Sequence, residues 1–113
     1  MNLFLVTFSL RNHNKDYDSF FVTLRGNSLN WLHYIEQTCL VSTEFDADTF
    51  AKKLLPHIQR TDSLIVAQIE PHKFQGWLPV DAWKWLNDVS GQIEREKQAR
   101  LPPFLTPPPK LIK

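Results

Sequence analysis

Residues 2–10 read NLFLVTFSL, and this stretch decides the fold. It is short, rich in β-branched and aromatic residues, and followed by the polar residues 11–15, so it predicts a β-strand. Side chains along a strand alternate between its two faces, and here both alternating sets are apolar. One set is Leu3 and Leu5; the other is Phe4, Val6, Phe8 and Leu10. A strand of this kind must be covered on both sides.

The residues after this strand predict a helix and a second strand. Asp16 or Asp18 is expected to cap a helix that reaches about Arg25, because a carboxylate accepts hydrogen bonds from free backbone N–H groups. Residues 31–43 interleave two apolar sets with polar neighbours, so we expect one long and bent second strand there. The first set is Trp31, Ile35, Cys39 and Val41, and the second is Leu32, Tyr34 and Leu40.

The middle of the chain repeats this pairing of helix and strand. Asp46 or Asp48 is expected to cap a second helix, which Pro56 ends because proline removes a helical hydrogen bond. The remaining predicted elements are a third strand at 63–70, a short fourth strand at 74–78 and a helix at 79–87.

The predicted order is β-α-β-α-β-β with a short terminal helix. Helices on one face of an antiparallel sheet make a ferredoxin-like α+β fold the expected architecture. We expect this domain to span residues 1–88, a linker or terminal helix to span 89–100, and a proline-rich basic tail to span 101–113.

Composition narrows the class of protein. The net charge is only +1, so the chain lacks the broad positive field of a nonspecific DNA binder. With one cysteine and no Cys/His spacing typical of zinc, neither a disulfide nor a bound metal is expected. No apolar run approaches a membrane span, and we expect a cytoplasmic protein that does not enter the membrane.

The proline-rich tail reads LPPFLTPPPKLIK and holds five of the eight prolines of the chain. Proline favours an extended polyproline II conformation over packing in a core. The tail is either a solubilising end or a binding segment. In the second case Phe104, Leu105 and Lys110 are its expected contact residues.

The end of the first strand holds weak candidates for catalysis. These are Ser9, His13, Asp16 and Asp18, where a histidine and two carboxylates have the chemistry to hold a hard cation. The favoured alternative is that the aspartates cap the following helix and that Ser9 is structural, since no glycine elbow or paired histidine activates it.

Five cations are candidates for contact with nucleic-acid phosphates. They are Arg11, Lys15, Arg25, Lys52 and Lys53. Dispersed among acidic residues, such cations more often form an ordinary solvated surface.

Three of the four tryptophans fall within residues 74–85, FQGWLPVDAWKW. On a helix Trp83 and Trp85 diverge by about 200°, so both cannot face one core. A contact with a second subunit is the favoured use of this segment. Its expected interface residues are Phe74, Trp77, Leu78, Trp83 and Trp85.

Two stretches carry a resemblance to a known family: YIEQTCLV at 34–41 and the GWLP-x-x-AWxWL box at 76–86. With the order of elements over residues 1–88, they make the chain resemble the SinR-like small proteins. These are relatives of the small integration subunit of CRISPR adaptation systems and of virulence-associated D-type toxins. The resemblance implies a ferredoxin-like fold and a homodimer.

Several proteins in that wider group are metal-dependent nucleases with an aspartate after an aromatic residue at the end of the first strand. In this chain Phe8 is followed by Ser9, and a neutral hydroxyl binds Mg²⁺ weakly. We therefore expect a homodimeric accessory protein that binds a partner protein or nucleic acid without catalysis and without a cofactor. The alternative is a nuclease or toxin-like ribonuclease dependent on Mg²⁺ or Mn²⁺.

Overall fold

The computed structural model describes residues 1–100 of the chain. Its elements follow the order β-α-β-β-α-β-α. They are β1 (Asn2–Ser9), α1 (Asp18–Gly26), β2 (Asn30–Ile35), β3 (Thr38–Thr43), α2 (Ala47–Leu54), a 3₁₀ turn (Leu55–His57), β4 (Ser63–Ile69) and α3 (Val80–Arg100). The predicted tail, with Phe104, Leu105 and Lys110, lies outside the described residues.

The four strands form one antiparallel sheet in the order β2-β3-β1-β4. β1 is central, and Leu5 lies between Leu40 of β3 and Ala67 of β4. The predicted α+β class is therefore confirmed, with β2 and β4 as the two edges of the sheet.

The expected single strand over residues 31–43 was wrong. The chain turns at residues 36–37 and forms a hairpin, in which Ile35 pairs with Thr38. Neither Glu36 nor Gln37 is a residue typical of a tight hairpin turn, so the sequence shows no turn signal there. The register also shifts between Leu32 and Ile35, which blurs the alternation of β2.

The expected fourth strand at 74–78 was also wrong, because these residues form an irregular segment that leads into α3. The fourth strand of the sheet is β4, which had been expected as the third. α3 starts one residue after Pro79 and continues to Arg100. The helix predicted at 79–87 and the segment 89–100, for which a linker or a terminal helix was expected, therefore form one helix. The observed element order consequently differs from the predicted β-α-β-α-β-β.

The first face of the sheet carries the larger core. Phe4, Val6 and Phe8 of β1 are buried there against α1 and α2. The helices contribute Phe20, Leu24, Phe50 and Leu54, and the Phe4 and Phe50 rings meet edge to face with centroids 5.8 Å apart. The buried apolar residues of both helices therefore pack on this face.

The two crossover helices α1 and α2 lie on one face of the sheet as expected, and the terminal helix α3 packs on the second face. Leu3 of β1 is buried against Leu86, Val89 and Ile93 of α3. Leu5, two residues further along β1, is only half buried. A single helix thus covers the Leu3 end of this face and leaves the rest accessible.

The predicted cap of the second helix is confirmed. The Asp46 carboxylate accepts a hydrogen bond of 2.7 Å from the Thr49 backbone N–H. This bond, together with one to the Thr49 side chain, holds the pKa of Asp46 below its usual value. The cap fixes where α2 begins relative to the end of β3.

Replacing Ile93 with alanine tests whether α3 belongs to the folded core. Ile93 is buried, and truncation of such a side chain is expected to cost about 2–5 kcal/mol of unfolding free energy. Urea denaturation followed by circular dichroism measures this loss. The neighbouring exposed Gln92→Ala is the control and should change stability by less than about 0.5 kcal/mol. Equal effects of the two substitutions would show that α3 is not docked on the sheet.

Candidate functional site

Ser9 is the last residue of β1 and lies opposite Ser63 of β4. Its hydroxyl accepts a hydrogen bond of 3.2 Å from Nε of Arg11. A guanidinium donates hydrogen bonds and cannot accept a proton from a hydroxyl, so this contact does not activate Ser9 as a nucleophile.

Asp62, which the sequence did not single out, is the centre of the hydrogen bonds at this end of the sheet. Its carboxylate accepts from the backbone N–H of Arg11 at 2.8 Å and from that of Gln59 at 2.9 Å. The Tyr17 hydroxyl donates to both carboxylate oxygens, at 3.0 and 2.9 Å. Asp62 therefore ties together the segments that follow β1, precede α1 and precede β4.

The ionisation of this cluster follows from its contacts. Desolvation opposes the charge of Asp62, but the N–H groups of Arg11 and Gln59 and the Tyr17 hydroxyl outweigh it and hold the pKa of Asp62 below its usual value. Desolvation, reinforced by the neighbouring Asp62, raises the pKa of Tyr17. The pair is therefore a carboxylate and a neutral phenol at neutral pH, which is the arrangement of a structural hydrogen bond.

The remaining candidates of the loop have local roles. The Asp16 carboxylate accepts a hydrogen bond of 2.9 Å from the backbone N–H of Asp18, the first residue of α1. The cap position is occupied by Tyr17, whose side chain makes no capping hydrogen bond, so the expectation that Asp16 or Asp18 is the cap residue was wrong. His13 is exposed in the turn that precedes it. Within residues 1–100 no three His, Cys, Asp or Glu side chains are grouped so that they would hold a metal ion.

The predicted phosphate-binding cations are engaged at separate places. Lys15 donates to the His57 carbonyl oxygen at 3.1 Å, and Lys52 pairs with Asp48 at 2.9 Å. Lys53 lies 4.7 Å from the centre of the Phe45 ring, Arg11 contacts Ser9, and Arg25 lies in the last turn of α1. Arg11 and Lys15 both lie near Asp62, whereas Lys52 and Lys53 are in the last turn of α2.

An apolar groove lies on the part of the second sheet face that α3 leaves open. It consists of two adjoining depressions of about 300 and 30 Å³ that share Leu5, Ile35, Leu40 and Leu78. No charged side chain lines either depression. The other apolar lining residues are Leu32, Tyr34, Ile69, Phe74, Trp77, Trp83 and Leu86.

The irregular segment before α3 forms one wall of this apolar groove. The Phe74 and Trp83 rings stack with centroids 6.3 Å apart and planes 20° apart, which holds the segment against the helix. Trp77 projects from the rim and is 98% exposed. Three residues of the predicted interface, Phe74, Trp77 and Leu78, therefore lie together beside the floor formed by Leu5 and Leu40.

Trp83 and Trp85 are both half buried, and both pack against the core of the second face. The expectation that they could not face one core was wrong, because side chains as large as tryptophan reach the same core from the two flanks of a helix. Trp83 lines the apolar groove, whereas Trp85 does not. The indole N–H of Trp85 is buried without a hydrogen-bond partner. Trp77 has the most exposed indole of the three. It precedes α3, so the angle between side chains on a helix gives no information about where it lies.

Cys39 is buried on the first face of the sheet, in the core that α1 and α2 cover. Burial raises the pKa of its thiol to about 11. As expected from its apolar neighbours, it is a core residue and does not have the depressed pKa of a reactive thiol.

For two groups of site residues, the local sequence gave no indication that they belong to a site. Asp62 precedes a strand in an ordinary turn, and only the fold brings Arg11 and Tyr17 to it. Leu5 and Leu40 read as core residues, and their part in the apolar groove depends on how much of the sheet α3 covers. The exposure of Ile35 had one available signal: it ends an edge strand.

No family model, curated protein or solved structure matches this chain. None of the three helices described has the length and apolarity that crossing a membrane requires. The site must therefore be interpreted from its own geometry. That geometry gives a hydrogen-bonded cluster at one end of the sheet and an uncharged apolar groove on its second face.

Replacing Asp62 with asparagine tests the cluster through the pH dependence of stability. Because the folded state lowers the pKa of Asp62, its contribution is present above the unfolded pKa and is lost as pH falls through the folded pKa. Asp62→Asn is expected to lower the Tm at pH 7, with the difference from wild type shrinking towards pH 2. The exposed Asp88→Asn is the control. A difference that is constant across this range would contradict the assignment.

Proposed function

We propose that this chain is a non-catalytic accessory domain that binds an extended apolar segment of protein in the apolar groove. The observation that carries the proposal is Trp77, which is 98% exposed beside a groove lined without charge. Exposed apolar surface of this kind is typical of interaction sites, and aromatic side chains supply much of the energy of such contacts.

The absence of charge in the groove defines its ligand class. A nucleic acid would bring phosphates to a surface without cations, whereas an apolar peptide needs only aliphatic and aromatic walls. Sites for apolar ligands carry a few polar groups that orient the ligand. In the apolar groove these polar groups are the side chains of Gln75 and Thr38. A protein segment is thus the better partner for the apolar groove than a polynucleotide.

The architecture supports a ferredoxin-like assignment as part of the proposal. The first six elements run β-α-β-β-α-β, which is the element order of that fold. The resemblance to SinR-like proteins also remains part of the proposal, and its tryptophan box supplies the groove residues Trp77, Leu78 and Trp83.

Replacing Ile35 with asparagine tests the apolar groove. Ile35 is 56% exposed and lines it, so a polar side chain there should weaken binding without unfolding the domain. Peptides selected on the wild-type protein from a random displayed library should share apolar and aromatic residues. Ile35→Asn should weaken the best of them at least about tenfold, corresponding to about 1.4 kcal/mol, in calorimetric titration.

Ile65→Asn is the matched control for that experiment. Ile65 lies on the same sheet face and is 62% exposed, but it lines neither depression of the apolar groove. Peptide affinity should be unchanged in this variant. Equal losses in both variants, or selected peptides without an apolar consensus, would contradict the proposal.

We propose further that the domain is a homodimer. Trp77 lines the apolar groove and is almost fully exposed, and Val80 three residues later is also exposed. A second copy can cover both side chains whether or not a ligand occupies the floor of the groove. A two-fold contact would place the same segment of both copies at the interface. α3 already covers part of the sheet, so the second copy is needed only to cover Trp77 and Val80.

Sedimentation equilibrium at micromolar concentration tests the dimer. The wild-type chain should sediment with twice its monomer mass of 13.3 kDa, and Trp77→Ala should shift the population towards monomer. Loss of a large aromatic anchor commonly weakens an interface by 2 kcal/mol or more, about thirtyfold in Kd. Trp31→Ala is the control, since Trp31 is exposed on β2 outside the apolar groove. A wild-type monomer would refute this part of the proposal.

A further inference from the structure

We propose that the segment bound in the apolar groove is residues 101–113 of the same chain, folded back along α3. This inference rests on the proposed function and names the ligand of its site. The segment would act as a built-in occupant that covers the groove and that any foreign peptide must displace.

The place where α3 ends gives this segment its path. A depression of about 610 Å³ lies beside the last turns of α3. It is lined by the apolar Leu29 and Ala99 and by polar and charged residues, which include Asn30, Arg95 and Glu96. Asn30 is the first residue of β2, and Ile35, the last, lines the apolar groove. The depression beside Ala99 therefore lies at the start of β2, and the apolar groove lies at its end. The C-terminal end of α3 is next to the first of these.

The lengths agree with this path. β2 has six residues, which span about 17–20 Å at the rise of a strand. Thirteen residues in a polyproline II conformation would span about 40 Å, and Leu111 and Ile112 would lie about 34–37 Å from the end of α3. The segment is long enough to pass the depression beside Ala99, follow β2 and reach the apolar groove with several residues to spare.

The spacing of the apolar residues in the segment is compatible with this path. Phe104 and Leu105 come four and five residues after Arg100, about 12–16 Å along an extended chain, within reach of the depression beside Leu29. Leu111 and Ile112 are the apolar pair that reaches the uncharged floor. Lys110 and Lys113 flank this pair, and the exposed Glu36 directly follows Ile35 as an opposite charge.

The experiment uses the full chain with Leu111→Ser and Ile112→Ser combined. Hydrogen exchange of residues 32–40 and 74–80, followed by mass spectrometry, should accelerate about tenfold because the apolar groove loses its cover. A synthetic peptide of residues 101–113 should bind this variant and restore the protection, and Ile35→Asn should abolish that rescue. The matched control combines Lys97→Ser and Gln98→Ser on the exposed surface of α3.

Unchanged exchange in the tail variant, or failure of the peptide to restore protection, would overturn the inference. A tail variant that converts a dimer to monomer in sedimentation would also overturn it, because the segment would then act between copies. The outcome for the proposed function is separate. If the tail variant is silent while Ile35→Asn still loses the selected peptides, the apolar groove remains a binding site for a foreign segment.

Discussion

The constraint on which the whole structure depends is the apolar character of both faces of β1. A central strand with Phe4 on one side and Leu3 on the other leaves neither face to water, and each must be covered by other elements. The chain meets this requirement unequally. Two helices cover the first face, whereas α3 alone covers the second.

The dimensions of helices and sheets explain why that inequality produces a groove. Four strands spaced about 4.8 Å apart make a surface wider than the 10–12 Å diameter of one helix. Two helices side by side cover such a surface, and one helix does not. Because α3 packs over Leu3, the uncovered area falls around Leu5 and Leu40, where the irregular segment before α3 forms a wall. The apolar groove thus arises from element count and width, without a special motif.

Much of the fold could be predicted from local signals. β1, α1, the Asp46 cap and β4 each have an apolar pattern or a capping residue that decides them within a few residues. The hairpin at 36–37 could not be predicted because its turn has no glycine or asparagine and because the bulge in β2 disturbs the alternation. The continuous length of α3 could not be predicted because its mostly polar part beyond residue 87 still buries Val89 and Ile93. The site depends on contacts distant in sequence, such as Asp62 with Tyr17, which no local pattern contains.

The burial of Cys39 has a practical consequence for following the sheet in solution. The thiol is buried near the start of β3 and, with its pKa raised to about 11, is almost entirely protonated at neutral pH. An alkylating reagent can modify it only after β3 separates from the helices that cover it. The rate at which Cys39 is labelled therefore measures how often the sheet opens. A second cysteine placed on the surface would react much faster than Cys39. Native-state opening of the sheet can thus be followed through Cys39 without an engineered probe.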